Sequence, residues 1–437
     1  PTTLYAGSFC FAVASILFLW SAGALGLTLR ALFEPKATRT TLSDHLTRIR
    51  RRWFESKLPK PKTPHDCPCV LLNTGIPTSP GSAALFNLEI KRGRAKRIAT
   101  HGHACLHPDC PYFGCTDAAV HALVADGWHG QHRDIRRFRC QACQHVFSCR
   151  RNTPRFRLHK PLLLVQSAFL RLALGMSRAD IARVLGIDED TVARWLDRFG
   201  AHADHLHDAL LRDLTPEVLQ LDEIRADLRA TPRVRWLWLA IDPTTKLVLN
   251  YLLASRKTPD AMPFIHRLRD RLSPGHVPLF LSDGLRQYHA LLTAHFGTWV
   301  EGVWVVSSQI HLAQIVKILR SRRLIATFPR TLCGSLLHVR QQLRELGFTG
   351  IIQTSFIERV NLSIRHGVGA LHRRTWATCR RHDRLQTHVA LYLSFYHFVR
   401  PHPSLRQEKL TRTPAMAAGL TDPRWSVEEW RTRPVYG

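Results

Sequence analysis

The chain has 437 residues, with Lys+Arg 62 against Asp+Glu 33 and a formal charge of +29. That length accommodates two to four folded units, and 45% hydrophobic with 9% aromatic residues excludes a disordered chain. So large a positive excess argues against an enzyme of small neutral metabolites and calls for a polyanionic partner, either nucleic acid or an acidic membrane surface.

Residues 1–29 contain no Asp, Glu, Lys or Arg. The apolar run Leu4 to Leu29 exceeds the roughly 20 residues needed to span hydrocarbon. Arg30, Arg48 and Arg50–Arg52 follow it, which would keep the rest of the chain cytoplasmic. Three readings of residues 1–30 stand side by side: a membrane anchor, a cleaved signal peptide that lacks a basic segment before the run, and a non-native leader.

Residues 31–100 form a basic linker punctuated by Pro35, Pro59, Pro61, Pro64, Pro68, Pro77 and Pro80, and close on the cluster Lys91 to Arg97. That cluster is either a solvated linker or an arm on phosphates; Cys67 and Cys69 read as plain linker residues.

Over 101–152, Cys105-x4-Cys110 and Cys140-x2-Cys143 form two thiol pairs with a hairpin between them. Each pair supplies two ligands of a tetrahedral Zn²⁺ site, which predicts a zinc ribbon. His101, His103, His107, Cys115 and Cys149 are rival ligands.

Over 158–212 the pattern is helical. Ser177-Arg178-Ala179-Asp180 predicts a capping box. Ile181, Ala182 and Leu185 make an apolar face, Gly186 a turn, and Asp188 a cap for a second helix through Arg198. Val192, Trp195 and Leu196 point inward there, leaving Glu189, Thr191, Arg194 and Arg198 for a DNA groove, as in a helix-turn-helix.

From about residue 216 strands take over. Val218 to Ile224 predicts a strand bearing Asp222, Val234 to Ile241 a strand buried on both faces, and Leu247 to Leu253 its hairpin partner after Asp242-Pro243-Thr244-Thr245. A helix over 258–272 precedes a fourth strand, Val277 to Asp283, and a further helix. This order predicts an α/β domain over 216–400 with a ribonuclease-H-like mixed sheet.

Adjacent first and fourth strands would bring Asp222 and Asp283 to the same metals. Glu358 shares a helical face with Asn361, Leu362 and Arg365, and would complete a carboxylate triad for two Mg²⁺ or Mn²⁺ ions. Glu223, Asp227 and Asp242 read as turn acids, and Glu301 and Glu345 as fallback third acids. Tyr392 to Tyr396 reads as core packing, and residues 401–437 as a C-terminal tail.

Taken together, these passages resemble the DDE transposases of bacterial insertion sequences, closest to the insertion-sequence-one group. The likeness rests on Cys105-Leu106-His107-Pro108-Asp109-Cys110-Pro111 with Arg137-Phe138-Arg139-Cys140-Gln141-Ala142-Cys143, and on the helix-turn-helix Ser177 to Phe199. It rests further on Leu221-Asp222-Glu223 with Leu281-Ser282-Asp283-Gly284, and most specifically on Thr354 to Leu362 running into Arg365. Phe398 to Leu405 and Arg412 to Leu420 resemble tail segments of such enzymes. The likeness covers roughly 100–425. It implies Mg²⁺-dependent nicking at transposon ends and attack of the freed 3′-hydroxyl on target DNA. By the resemblance Asp222, Asp283 and Glu358 are the metal-binding triad, and Arg359, Asn361 and Arg365 lie near the DNA backbone. Synapsis of two double-stranded ends implies a homodimer or higher assembly, cytoplasmic and nucleoid-associated, tethered at the membrane if residues 4–29 anchor it.

The first knuckle is wider than the family's Cys-x2-Cys, and about 297–350 is expected as an insertion. Its Arg320, Arg322 and Arg323 read equally as a grip on DNA or as the solvated face of a helix. The alternative function is a zinc-ribbon and helix-turn-helix DNA-binding regulator with an inactive ribonuclease-H-like domain; a membrane-bound DNA-binding sensor is a third.

Overall fold

Apolar periodicity and turn formers divide the chain into three successive units in the computed structural model. It describes residues 100, 102–117, 120–130, 134–229, 235–321, 323–373, 379–408 and 410–436. The apolar run 4–29, the linker 31–99, Cys67, Cys69, His101 and Arg322 lie outside the described residues. Among the described residues no helix is long and apolar enough to cross a membrane.

The first unit is a three-stranded antiparallel sheet of β1 (Leu123–His129), β2 (Ile135–Cys140) and β3 (Val146–Ser148), in that order. Its core is Leu123, Phe138, Phe147 and Tyr112 together with Cys105, Cys110 and Cys140. So few apolar side chains need a cross-link of some kind to hold a fold.

The second unit comprises α1 (Leu162–Ala173), α2 (Arg178–Leu185) and α3 (Glu189–Leu210). Ser177 caps α2 by accepting from the Asp180 amide at 3.1 Å. Asp180 does not reach back to the backbone as a capping box would have it; its carboxylate accepts the Ser177 hydroxyl at 2.6 Å. Gly186 turns the chain at φ +63°, the left-handed conformation that glycine adopts without a Cβ clash. Asp188 caps α3 through the Asp190 amide at 2.7 Å. The helix runs past Arg198 because Phe199, Ala203 and Leu206 continue the buried stripe.

The third unit is a six-stranded mixed sheet with order β11-β10-β7-β4-β5-β6. β4 (Val218–Ala226), β5 (Arg235–Ile241) and β6 (Val248–Ala254) form an antiparallel meander, and β7 (Leu279–Asp283) runs parallel to β4. Leu221, Trp238 and Leu249 face α4 (Thr258–Arg271) and α5 (Gln287–His295). Ile224, Leu239 and Tyr251 face α7 (Ser355–Gly367), α8 (His382–Phe398) and the helix-turn-helix. The approach of α3 to α8 requires Gly200, where a Cβ would stand 2.4 Å from the Thr387 carbonyl oxygen.

The segment expected as an insertion is partly sheet. β8 (Gly297–Val300) and β9 (Val303–Val306) form a separate hairpin. β10 (His311–Arg320) then pairs parallel to β7, and β11 (Arg323–Cys333) antiparallel to β10. Arg320 and Arg323 therefore lie on a β-hairpin, not on a helix. α6 (Leu336–Glu345) packs Val339 and Leu343 over β7 and β10.

The expected tail is part of the core. Trp430, in α10 (Val427–Thr432) after the single-turn α9 (Pro414–Ala417), is fully buried. Its ring lies 4.6 Å from Phe169 and 5.3 Å from His202, and its indole donates to Ser394 Oγ at 2.5 Å. Trp425 stacks on Phe398 at 4.5 Å. Beyond it the Val435 amide donates to the Asn152 carbonyl at 3.2 Å, and Tyr436 Oη accepts from the Ala104 amide at 2.7 Å. The last dozen residues thus touch all three units.

Candidate active site

Cys105, Cys110, Cys140 and Cys143 converge so that their sulfurs all lie within 4.8 Å of one another. Cys105 Sγ is 3.4 Å from Cys143 Sγ, and Cys110 Sγ 3.7 Å from Cys140 Sγ. A tetrahedral Zn²⁺ with bonds of about 2.3 Å sets its sulfurs about 3.8 Å apart, so the donor set fits zinc in number, softness and spacing. The wider first loop reaches this geometry because the Cys110 amide donates to the His107 carbonyl and the Gly114 amide to the Cys105 carbonyl. Cys115, Cys149, His103 and His107 are not in the cluster. Burial pushes the Cys105 and Cys110 thiols up, while amide and thiol hydrogen bonds outweigh burial at Cys143 and lower it.

On the large sheet, the β4–β7 pairing ends at Leu221↔Ser282. Asp222 and Asp283 are the next residue on each strand. Their carboxylates and that of Glu223 have oxygens within 4.8 Å of one another, an all-oxygen donor set suited to a hard divalent cation. Glu223 reads in the sequence as a turn acid; it is instead buried, held by Arg256 at 3.0 Å and by the Tyr288 hydroxyl at 3.0 Å. Adjacent residues on a strand face opposite sides, so nothing in the local pattern announces this pairing. Burial, then the charges of Glu223, Asp283 and Glu358, raises the Asp222 carboxyl to about 7. Burial and Asp283 raise Glu223 as well.

Glu358 stands outside this group of three and lines one cavity with Asp222 and Glu223. Its Oε1 accepts from Lys317 Nζ at 2.8 Å and from Thr354 Oγ1 at 3.2 Å. α7 is seated by buried Gln220 of β4, which accepts from the Ile357 amide at 3.0 Å and donates to the Gln353 carbonyl at 2.9 Å. The cavity, about 650 Å³, is lined by the acids Asp222, Glu223 and Glu358, by the cationic Lys317, Arg365 and Arg373, and by Asn361 and Leu362 of α7. Acids and cationic side chains lining one cavity can hold cations and a phosphate ester together.

Asn361 is buried, and its amide donates to Asp222 Oδ2 at 2.7 Å while its Oδ1 has no partner. It orients the Asp222 carboxylate and lines the cavity beside Arg365. Arg365 leans toward the Leu371 carbonyl at 3.4 Å, and Arg359 is exposed on α7 outside the cavity lining. Lys317 escapes sequence reasoning because the strand carrying it has no clear signature. The remaining acids have local roles: Asp227 pairs with Arg225, Asp242 accepts from Thr244 and Thr245, Glu345 accepts from Gln341, and Glu301 occupies the β8–β9 turn.

On α3, Arg194 is exposed and donates to Thr191 Oγ1 at 3.0 Å. Arg198 donates to the Phe156 carbonyl at 2.8 Å, which anchors the helix.

No curated protein matches the sequence. Residues 164–204, which span α1 to α3 apart from their outer ends, match the model of a homeodomain-like domain, a helix-turn-helix type found in transposases. The chain thus carries a DNA-binding domain of transposase type, ahead of a mixed sheet flanked by helices.

Proposed function

We propose that this protein is a DNA transposase of the DDE type, with a ribonuclease-H-like core that nicks transposon ends and joins them to target DNA. The observation that carries the reading is the meeting of Asp283 with Asp222, from adjacent parallel strands, and the cavity that Asp222 in turn lines with Glu358 of α7. Ligands gather outside the carboxyl ends of such strands.

Asp222, Asp283 and Glu358 would hold two Mg²⁺ or Mn²⁺ ions, which supply activation of the nucleophile and stabilisation of the leaving 3′ oxygen. Glu223 adds a fourth carboxylate, kept in place by Arg256 and Tyr288. Asn361 fixes the orientation of Asp222. Lys317, paired with Glu358 at 2.8 Å, can move to a phosphate oxygen once Glu358 is neutralised by a cation. Arg365 and Arg373 hold the DNA backbone over the acids. The helix-turn-helix recognises the ends through Thr191 and Arg194, and the four cysteines bind structural Zn²⁺.

A supercoiled plasmid carrying the candidate terminal repeats, incubated with the full chain and Mg²⁺, is expected to be nicked, and Asp283→Ala to abolish nicking while leaving DNA binding intact. Absence of nicking by the native chain, or nicking unchanged in Asp283→Ala, would leave a DNA-binding regulator as the better description.

A further inference from the structure

Beyond Ile315, which pairs with Asp283 at the end of β7, β10 and β11 continue as a two-stranded arm. Lys317, Ile318 and Arg320 on one strand and Arg323 to Phe328 on the other are exposed. Leu324 and Ile325, at 57% and 62% exposure, are among the most exposed large apolar residues described. Between Glu301 and Glu345 the chain has no acid, against seven Lys or Arg. The arm is rooted at the cavity, since Lys317 near its base pairs with Glu358.

We propose that this arm lies in a groove of duplex DNA whose phosphate sits at the carboxylate cavity, with Arg320 and Arg323 on the backbone and the apolar side chains against sugars and base edges. This rests on the reading of the cavity as a DNA site and adds where the duplex runs. A two-stranded ribbon fits the major groove, about 12 Å wide. The five residues beyond Ile315, up to Arg320, extend about 16 Å at ~3.3 Å per residue. That is about five base pairs at ~3.4 Å per step, so the arm reaches well past the phosphate at the acids. Charge selects DNA over a second copy of the chain. Edge-to-edge pairing of two arms would bring two acid-free, strongly basic segments together, whereas a polyanion neutralises both arginines.

Two measurements on the full chain, made without divalent cations so that cleavage is not required, test the arm. With a fluorescent duplex of arbitrary sequence, the double variant Arg320→Ala/Arg323→Ala is expected to flatten the log–log salt dependence of affinity by about 1.8, at ~0.9 for each phosphate no longer neutralised. An unchanged slope overturns the proposal. A benzophenone photo-crosslinker in place of Ile325 is expected to capture the duplex; capture of a second protein copy instead overturns it. Neither readout depends on catalysis. If Ile325 crosslinks DNA while Asp283→Ala leaves nicking untouched, the catalytic reading falls and the arm stands. If nicking needs Asp283 but the slope and crosslink fail, the arm alone falls.

Discussion

The protein gathers two kinds of ligand cluster, and they are held together in opposite ways. Four thiols in the small sheet sit at sulfur van der Waals distance, with two burial-raised members that lose little by being neutral. Three carboxylates in the large sheet sit equally close, but burial and then mutual repulsion drive Asp222 to about 7, and Glu223 is pinned by Arg256 and Tyr288. The first cluster completes a unit that has almost no core of its own; the second is a strained pocket in a unit whose core lies elsewhere. In the proposed function, structure depends on the one and chemistry on the other.

The widest separation between them should come from Cys140→Ser. Structural zinc contributes on the order of 10 kcal/mol to domains of this kind. Bound zinc is expected to fall from about one equivalent to none by elemental analysis, and residues 100–150 to become protease-sensitive while the large sheet melts unchanged. Retention of zinc would break the contrast.

The carboxylate cluster should reveal itself through pH. The folded Asp222 carboxyl lies at about 7 against an ordinary value of 3.8, so the folded state binds a proton that the unfolded state has released. Stability without Mg²⁺ therefore falls as pH rises from about 4 toward about 7. Denaturant titrations between those limits should show the decline, Mg²⁺ should reverse it, and Asp222→Asn should remove it. A flat profile in the native chain would mean that neither burial nor the neighbouring acids raise the Asp222 carboxyl.

Asn361→Ala should have the smallest effect of the three. Loss of a partner that orients a metal ligand typically costs about 10–100-fold in metal affinity or activity. The Mg²⁺ concentration for half-maximal nicking should rise by that order, with zinc content and DNA affinity unaltered. An unchanged Mg²⁺ requirement would reduce Asn361 to packing.

How far these features are legible in sequence depends on the range of the interactions behind them. The central strands are visible because the apolar run before Ile241 and the turn Asp242-Pro243-Thr244-Thr245 are local signals, and the structure places a hairpin there. The thiol pairs are visible for the same reason. β10 and β11 are not, because the hairpin turns at Ser321 with φ +47° and no glycine or asparagine marks it. Glu223 passes for a turn acid because its partners come from residues 256 and 288, beyond any window of periodicity. Arg198 looks available for DNA since the carbonyl that occupies it, that of Phe156, lies 42 positions away.

The burial of Trp430 against Phe169 and Phe199 has a consequence for the order in which the molecule can be made. The homeodomain-like helices leave the ribosome well before the ring that closes their core, which is synthesised more than two hundred residues later. Contacts so distant in sequence form late. During translation the helix-turn-helix therefore waits, with an open apolar face, for the sheet and α8 to fold and for the terminal tryptophan to arrive. A nascent or prematurely terminated chain would therefore lack a finished helix-turn-helix core, and only complete molecules, which also carry the carboxylate cavity, would present that unit folded.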